Sequence, residues 1–454
     1  MPDARAVALE VLTRVESDSA FAGPLLDAAL RRAGLAVDDA GLCTEMTYGT
    51  LRWRGRLDRL LRPHCRRALP ALDPVVRNAL RLGAYQLAFL DRVPAYAAVA
   101  ETVEAAKRRA PFAAGLVNAV LRALLRAGTP PEPPDWSRAS PADLAAWWSH
   151  PEWLLTRWRA RFGDAGAWAL MEANNAPAPL SLAPNTARAG PGDLARAIAA
   201  LGLGAEASRW TPGFVRVKEG GALLRSPLVL EGACVPMDEA SGLVVHCLDP
   251  RPGERILDAC MGGGLKAALS WMRMERTGCL VAADPAARSF RRAADVHARL
   301  GLPGIRMVRM DAREAGRVLC ARFDRVLLDA PCSGLGTLRR HPEIRWQRGP
   351  EQVAALAALQ AALLAGVAPC VREGGRLVYA VCSTEPDEGE AVIADFLARH
   401  PAFRPAGPAA DADPALGALR TPEGAYRTFP HRHGTDGFFI AVLTRGRREA
   451  CGAT

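Results

Sequence analysis

Apolar positions recur at helical spacing from the start of the chain. Ala8, Val11, Leu12 and Val15 set a pattern that continues to about Arg126. Uninterrupted β-branched runs are scarce there, and Pro63, Pro70 and Pro94 fall where helices should break. An all-helical domain over 1–128 is predicted. A stiff proline-rich linker is predicted over 129–146, opening with Thr129-Pro130-Pro131-Glu132-Pro133-Pro134-Asp135. The pattern is helical again from Trp147 to Asn175, then mixed from about Leu180 to Leu230, so 147–235 reads as a connecting subdomain.

From Glu254 the texture changes. Short apolar runs at 255–258, 279–284, 323–329, 376–380 and 437–443 alternate with helical stretches such as 286–299, 351–367 and 388–400. This alternation predicts an α/β domain over 236–447 with a mostly parallel, doubly wound sheet. Ligands of such sheets lie beyond the carboxyl ends of the strands, so polar residues ending the strands are the candidates for chemistry.

Bulk properties narrow the setting. At 454 residues the chain has room for more than one domain, and a net charge of +10 points to a polyanionic partner. Its eleven cysteines form no C-x-x-C pair and no cluster at zinc-ligand spacing, so no metal is expected. Pro2-Asp3-Ala4-Arg5 leads straight into a helix without the look of a signal peptide, and no apolar run was expected to reach membrane-span length. Free cysteines in such a chain point to a reducing cytoplasm.

The first strand of the α/β domain ends in Asp258-Ala259-Cys260 and opens the turn Met261-Gly262-Gly263-Gly264-Leu265-Lys266. Glycines admit close backbone approach to a ligand, and the following helix N-terminus offers free N–H groups. The second strand ends at Asp284, where a carboxylate can accept from both ribose hydroxyls of an adenosine cofactor; the third ends at Asp311, placed for the adenine amino group. Each acid alone could be a helix cap. The fourth and fifth strands deliver Asp329-Ala330-Pro331-Cys332-Ser333-Gly334 and Ala380-Val381-Cys382-Ser383-Thr384. One cysteine would read as a core residue, but two beside a cofactor turn suggest a thiolate nucleophile for an electron-poor ring carbon. Arg339, Arg340, His341, Arg345 and Trp346 could neutralise phosphates and stack a base, or could be an ordinary solvated loop. Arg52, Arg54, Arg56, Arg59, Arg62, Arg66 and Arg67 crowd one helical segment and read equally as a phosphate-contacting face or a solvated surface.

These motifs together resemble the ribosomal RNA small-subunit methyltransferase B family, within the RNA 5-methylcytosine methyltransferases. The resemblance rests on Asp329–Gly334 with Arg339–Trp346, on Tyr379-Ala380-Val381-Cys382-Ser383, and on Thr435-Asp436-Gly437-Phe438-Phe439. Tyr48–Arg54, Leu80–Leu87 and Val117–Arg122 are similar to the NusB-like helical domain fused to that enzyme. It implies a NusB-like RNA-binding domain before a Rossmann-like class I methyltransferase domain. It also implies S-adenosyl-L-methionine as cofactor, held by Cys260, Met261, Gly262, Gly263, Gly264, Lys266, Asp284, Asp311 and Asp329. Cys382 is then the nucleophile, Asp329 the residue that holds the base edge, and Cys332 the helper in release. The substrate implied is a cytosine of unassembled 16S ribosomal RNA, acted on by a monomer; Arg52, Arg54, Arg339, Arg340, His341, Arg345 and Trp346 are the candidate RNA contacts.

The chain departs from the family's cofactor turn, with Gly262 for a proline and Leu265 for the last glycine. A leucine there is expected to crowd the cofactor or to force a φ it disfavours. Two rival functions follow: a non-catalytic RNA-binding or assembly factor with a degraded turn, and a cytosine-5 methyltransferase acting on another RNA.

Overall fold

The structure is a computed structural model that describes residues 3–128, 132–190, 192–218, 220–320, 322–407 and 414–446. The opening of the expected linker (129–131) and the outermost residues of the end domains (1–2 and 447) lie outside these. The chain divides into two compact units, one of residues 1–177 with 338–349, the other of 178–337 with 350–454.

The first unit is helical, as its apolar spacing predicts. The helix Ala4–Ser17 starts where the Asp3 side chain accepts from the Ala6 N–H, and it buries Val7, Ala8, Val11, Leu12 and Val15. The helices Ala22–Ala33, Val37–Arg52, Arg54–Leu61, Pro74–Phe89, Ala95–Arg109 and Ala114–Ala127 contribute to the same core. Pro94 caps one of these helices, and Pro63 and Pro70 sit in short 3₁₀ turns between others. The expected linker is not extended throughout. Ser140 accepts from the Asp143 N–H and starts a helix, Pro141–Trp147, that buries Leu144, Ala145 and Trp147.

The expected connecting subdomain is divided. The helix Glu152–Asn175, kinked at Gly163 where φ is +69°, belongs to the first unit. Residues from 178 onward belong to the second. There β1 (Leu180–Pro184), β2 (Ala205–Ala207), β3 (Val215–Val217) and β4 (Cys234–Pro236) form an antiparallel sheet in the order β2-β3-β1-β4.

The larger sheet of that unit runs through β5 (Arg255–Asp258), β6 (Cys279–Asp284), β7 (Arg306–Arg309), β8 (Phe323–Asp329), β9 (Val371–Val381), β10 (Phe403–Pro405), β11 (Tyr426–Arg427) and β12 (Phe439–Arg445). Its order is β10-β12-β9-β8-β5-β6-β7, with β11 paired to β12. The pairs among β5 to β9 are parallel, whereas β12 is antiparallel to β9. Alternation along each strand feeds two cores. Ile256, Leu280, Ala282, Leu327, Val378 and Ile440 enter one; Leu257, Val281, Val326, Leu328, Tyr379 and Phe439 enter the other. Helices Glu239–Leu248 and Leu265–Arg273 pack on the first face, and Pro350–Val367 and Glu390–Arg399 on the second.

One of these helices corrects an expectation. Residues Pro350–Cys370 are long and apolar enough, by length and composition alone, to cross a membrane, with a mean hydropathy of 1.9. Alanine accounts for much of this. Val353, Gln360, Leu363, Leu364 and Val367 face inward, while Ala354, Ala355, Ala358, Ala362 and Ala365 are exposed.

Candidate active site

Strand order places the carboxyl ends of β5 and β8 side by side, at the point where the sheet's connections reverse direction. The β5 end carries Asp258, buried, with no side-chain donor among the described residues on its carboxylate and only the Cys260 backbone N–H approaching it. Burial, with Asp329 adding its negative charge, pushes the Asp258 carboxyl up to about 7. Asp258 is the last residue of the strand that opens the turn and carries no role among the sequence-based expectations. An acid at the last position of a strand that opens a glycine turn was the available signal.

The turn is shaped by its glycines. Gly262 and Gly264 have φ of +52° and +78°. A Cβ on Gly264 would lie 2.7 Å from the Ala293 Cβ and 2.8 Å from the His297 Nε2, so that position requires glycine. At Gly262 and Gly263 a Cβ would meet nothing, which leaves their backbone open to a ligand. The Met261 N–H is already spent on the Ala283 carbonyl, and its side chain is buried. Leu265 does not take the disfavoured φ that is one expectation for it. It is the first residue of the helix Leu265–Arg273, and its side chain packs against the hydrophobic core. The left-handed conformation belongs to Gly264, one residue earlier.

Around the turn stand the other acids. Asp284 ends β6 and accepts from the Gly262 N–H at 3.1 Å and the Ala286 N–H at 2.8 Å. Asp311 caps the short turn Ala312–Glu314 and is gripped by the Arg313 guanidinium at 2.7 Å, whose hydrogen bond holds its carboxyl below the usual range. A ligand at Asp311 would have to share it with Arg313. Lys266 Nζ donates to Asp329 Oδ2 at 2.6 Å and lies 5.7 Å from the centre of the Phe438 ring. Burial works against its ammonium, but the charge and hydrogen bond of Asp329 outweigh that and raise its pKa. Burial and then the neighbouring carboxylates push the Cys260 thiol up.

Beyond β8 and β9 the two cysteines meet: Cys332 Sγ and Cys382 Sγ are 3.3 Å apart, both as free thiols. The contact with Cys382, reinforced by burial, raises the Cys332 thiol well above its ordinary value. The two turns are locked to each other, since the Gly336 N–H donates to the Cys382 carbonyl at 3.0 Å and the Gly437 N–H to the Gly336 carbonyl at 2.7 Å. A Cβ on Gly336 would fall 1.8 Å from the Gly437 oxygen, so only glycine fits this crossing.

The chain has known relatives. Residues 245–444 match the family model of 16S rRNA methyltransferase RsmB/F, residues 2–126 that of the NusB family, and residues 150–223 that of the RsmF/B-like ferredoxin-like domain. Ribosomal RNA small subunit methyltransferase B of Thermus thermophilus is 39% identical over 449 residues, covering 98% of each chain. The probable ribosomal RNA small subunit methyltransferase B of Bacillus subtilis is 34% identical over 443 residues, covering 97% of this chain and 98% of its own. This chain belongs to the ribosomal RNA small subunit methyltransferase B family. The crystal structure of PH0851 shares the fold over 97% of this chain and 99% of its own, with a TM-score of 0.83 and 25% identity. A methyltransferase homolog from Pyrococcus horikoshii covers 68% of this chain with its whole length, at a TM-score of 0.58 and 26% identity.

The family's helical unit holds the remaining expected residues, and there the structure corrects the reading. Arg345 is fully buried and does not face solvent. Its Nη1 donates at 2.8 Å to the Ser149 carbonyl and to Asn175 Oδ1, and its Nη2 reaches the Asn174 and Leu338 carbonyls at 3.3 and 3.4 Å. Desolvation, with Arg52 nearby, pulls its pKa down to about 9. A guanidinium so enclosed cannot reach a phosphate. Arg339 is buried too, and the Arg52 guanidinium donates to its carbonyl at 3.1 Å. Arg54 lies over the Trp346 ring at 5.2 Å and pairs with Glu16 at 3.5 Å, while burial lowers its pKa to about 10. Arg56 stacks on Trp147 at 3.9 Å. His341 sits edge-on to Phe21, and Arg340 is half-buried. Of the arginine-rich segment, Arg62, Arg66 and Arg67 are the exposed members.

Proposed function

We propose that this protein transfers a methyl group from S-adenosyl-L-methionine to carbon 5 of a cytosine in 16S ribosomal RNA, through a covalent adduct with Cys382. The observation that carries this reading is the pair of free thiols 3.3 Å apart beyond β8 and β9, beside the Lys266–Asp329 pair. Family membership supports methyl transfer to ribosomal RNA, and the NusB-family match supports an RNA-handling helical unit.

The cofactor fits the residues present. Its ribose hydroxyls suit Asp284, its adenine edge suits Asp311, its cationic amino-acid end suits the buried Asp258, which no side chain neutralises, and the backbone of Gly262 and Gly263 is open beside them. Cys260, Met261, Gly264, Lys266 and Asp329 complete the surroundings. When bound, this cofactor supplies an electrophilic methyl carbon.

The chain's own residues do the rest. Carbon 5 of cytosine is a weak nucleophile. Addition of the Cys382 thiolate to carbon 6 makes carbon 5 enamine-like, and holding the reactants in line supplies much of the acceleration. Asp329 accepts from or donates to the ring-nitrogen and amino edge, stabilising the adduct as it forms. Cys332, adjacent to Cys382, assists the proton removal from carbon 5 that lets Cys382 leave. The base must be extruded to reach the thiols, which favours a loop cytosine. The alternative of a non-catalytic binding factor rests on the altered turn, Gly262 and Leu265; the half-buried Leu265 side chain packed against the core favours the catalytic reading.

The test is to incubate the protein with methyl-labelled S-adenosylmethionine and unmodified 16S ribosomal RNA, then digest the RNA. Labelled 5-methylcytosine that vanishes with Cys382→Ala is expected. A folded preparation that yields none would overturn the reading.

A further inference from the structure

We propose that Glu388 is a positioning residue whose carboxylate ties the Cys332 turn to the Cys382 turn and so holds the two thiols as a working pair. This rests on the reading of the two cysteines given above.

Glu388 is fully buried. Its Oε2 accepts from the Ser333 hydroxyl and from the Ser383 hydroxyl, each at 2.5 Å. Its Oε1 accepts from the Ser333 N–H at 2.8 Å and from Gln360 Nε2 at 3.0 Å. Ser333 follows Cys332 and Ser383 follows Cys382 in the chain, so one oxygen atom joins the immediate neighbours of both thiols. The remaining contacts extend the same clamp. Gln360 also donates to the Pro331 carbonyl at 3.0 Å, just before Cys332, and the Tyr379 hydroxyl donates to the Glu388 carbonyl at 2.6 Å. From the other side the Arg427 guanidinium holds the Ser383 carbonyl at 2.7 Å.

A carboxylate is costly to bury, and its partners here are neutral hydroxyls and amides rather than a directly bonded cation. Neutral residues could close the same space at less cost to stability. What a carboxylate offers is two acceptor oxygens, one of which takes both serine hydroxyls at once. An amide in its place has one acceptor oxygen and turns an NH₂ toward hydroxyl or N–H donors. The thiol separation matters because a nucleophile and its helper must both reach one ring, and small misplacements of such groups are expensive in rate.

The full chain with Glu388→Gln tests this in two ways. Phenylarsine oxide condenses with two adjacent thiols, forming two As–S bonds and releasing water, and peptide mapping shows whether the bridge joins Cys332 to Cys382. The wild type should bridge rapidly. Glu388→Gln should bridge about tenfold more slowly or worse, while iodoacetamide still labels each cysteine singly. Single-turnover methyl transfer should fall about a hundredfold, with the KM for RNA and for S-adenosylmethionine changed by less than about threefold, and Glu388→Asp should recover part of the rate. If Glu388→Gln does not fold, Ser333→Ala with Ser383→Ala, which keeps Glu388, should show the same loss of bridging. Bridging at the wild-type rate in either variant would overturn the proposal, as would a loss of rate matched by an equal rise in KM. The arsenical needs no turnover. A wild type that makes no 5-methylcytosine but bridges in a Glu388-dependent way refutes the cytosine reading alone. Methylation with bridging indifferent to Glu388 refutes this proposal alone.

Discussion

Arg345→Met separates a structural arginine from an RNA-binding one. In sequence Arg345 stands in a cationic, aromatic segment, yet in the folded helical unit its fork serves the Ser149, Asn174 and Leu338 carbonyls and Asn175 Oδ1. Methionine fills similar volume and donates nothing. Each acceptor left without a partner costs about 1–3 kcal/mol, and the two held at 2.8 Å, the Ser149 carbonyl and Asn175 Oδ1, lose the most. Part of that is offset, because the variant no longer buries a charge whose desolvation is strong enough to lower its pKa to about 9. A net loss of about 3 kcal/mol is the reasonable figure, which for a unit of this size lowers the melting midpoint by about 6–12 °C. Arg345→Lys should fall between the two, since an ammonium cannot span acceptors fixed for a planar fork. Calorimetry measures the midpoint, and RNA binding across a salt series measures phosphate contacts. A true phosphate contact lowers the slope of log K against log salt by about 0.7–0.9, and Arg345→Met should leave that slope unchanged. A variant that melts like the wild type but loses that slope would refute the reasoning.

Four further outcomes follow from the active site. Asp258 has its carboxyl raised to about 7, so between the ordinary carboxylate range and that value the folded state holds a proton that the unfolded chain has lost. Stability therefore falls as pH rises through this window, and Asp258→Asn should melt higher than wild type at pH 8, by up to about 4 kcal/mol, with the gap closing toward pH 4. Its affinity for S-adenosylmethionine should fall in calorimetric titration, and a pH-independent gap in melting would contradict the burial argument. Cys332→Ala should accumulate a covalent RNA–protein complex visible on denaturing gels, and normal turnover without trapped RNA would refute the division of labour between the thiols. Gly264→Ala should lose about 1–3 kcal/mol, because its Cβ meets Ala293 and His297 at a positive φ. Leu265→Gly should cost about 2–3 kcal/mol, about 1 from helix propensity and the rest from lost packing, and leave cofactor affinity unchanged; a tenfold gain in affinity would show that Leu265 crowds the cofactor.

What could be read from the sequence follows from where a side chain's surroundings are set locally. The strands β5, β6 and β8 are short, apolar and bounded by acids or glycine, so both their extent and the residues at their ends were visible. The strands β2, β3 and β4 are three residues each, too short for any period to register. The helix Pro141–Trp147 was hidden by the prolines ahead of it, although Ser140 and Asp143 carry its capping signal. Arg345 and Arg62 look alike as letters; only the tertiary structure buries one and exposes the other. Glu388 fared similarly. In Glu385-Pro386-Asp387-Glu388-Gly389-Glu390 it reads as one more acid at a helix start, and its link to Ser333, 55 positions earlier, is invisible to any local pattern.

The charge of the site carries an argument of its own about ligand class. A glycine turn between a strand and a helix is commonly a phosphate cradle, because the helix N-terminus attracts anions. Here the turn is bordered by Asp258, Asp284 and Asp329, and the ammonium of Lys266 is already paired with Asp329. A pyrophosphate brought to such a place would face carboxylates at close range in a poorly solvated pocket, which disfavours a dinucleotide. A ligand that is cationic at its reacting end and carries a ribose gains from the same charges. The buried Asp258 is the sharpest part of this contrast, since a nearby cation would lower its raised pKa and return it to the charged form, while an anion would raise it further. Proton uptake or release on binding therefore reports the ligand's charge. Titrating S-adenosylmethionine near pH 7 in buffers of different ionisation enthalpy should reveal proton release, and Asp258→Asn should abolish it. Proton uptake, or release that persists in the variant, would show that Asp258 does not face the cationic end of the cofactor.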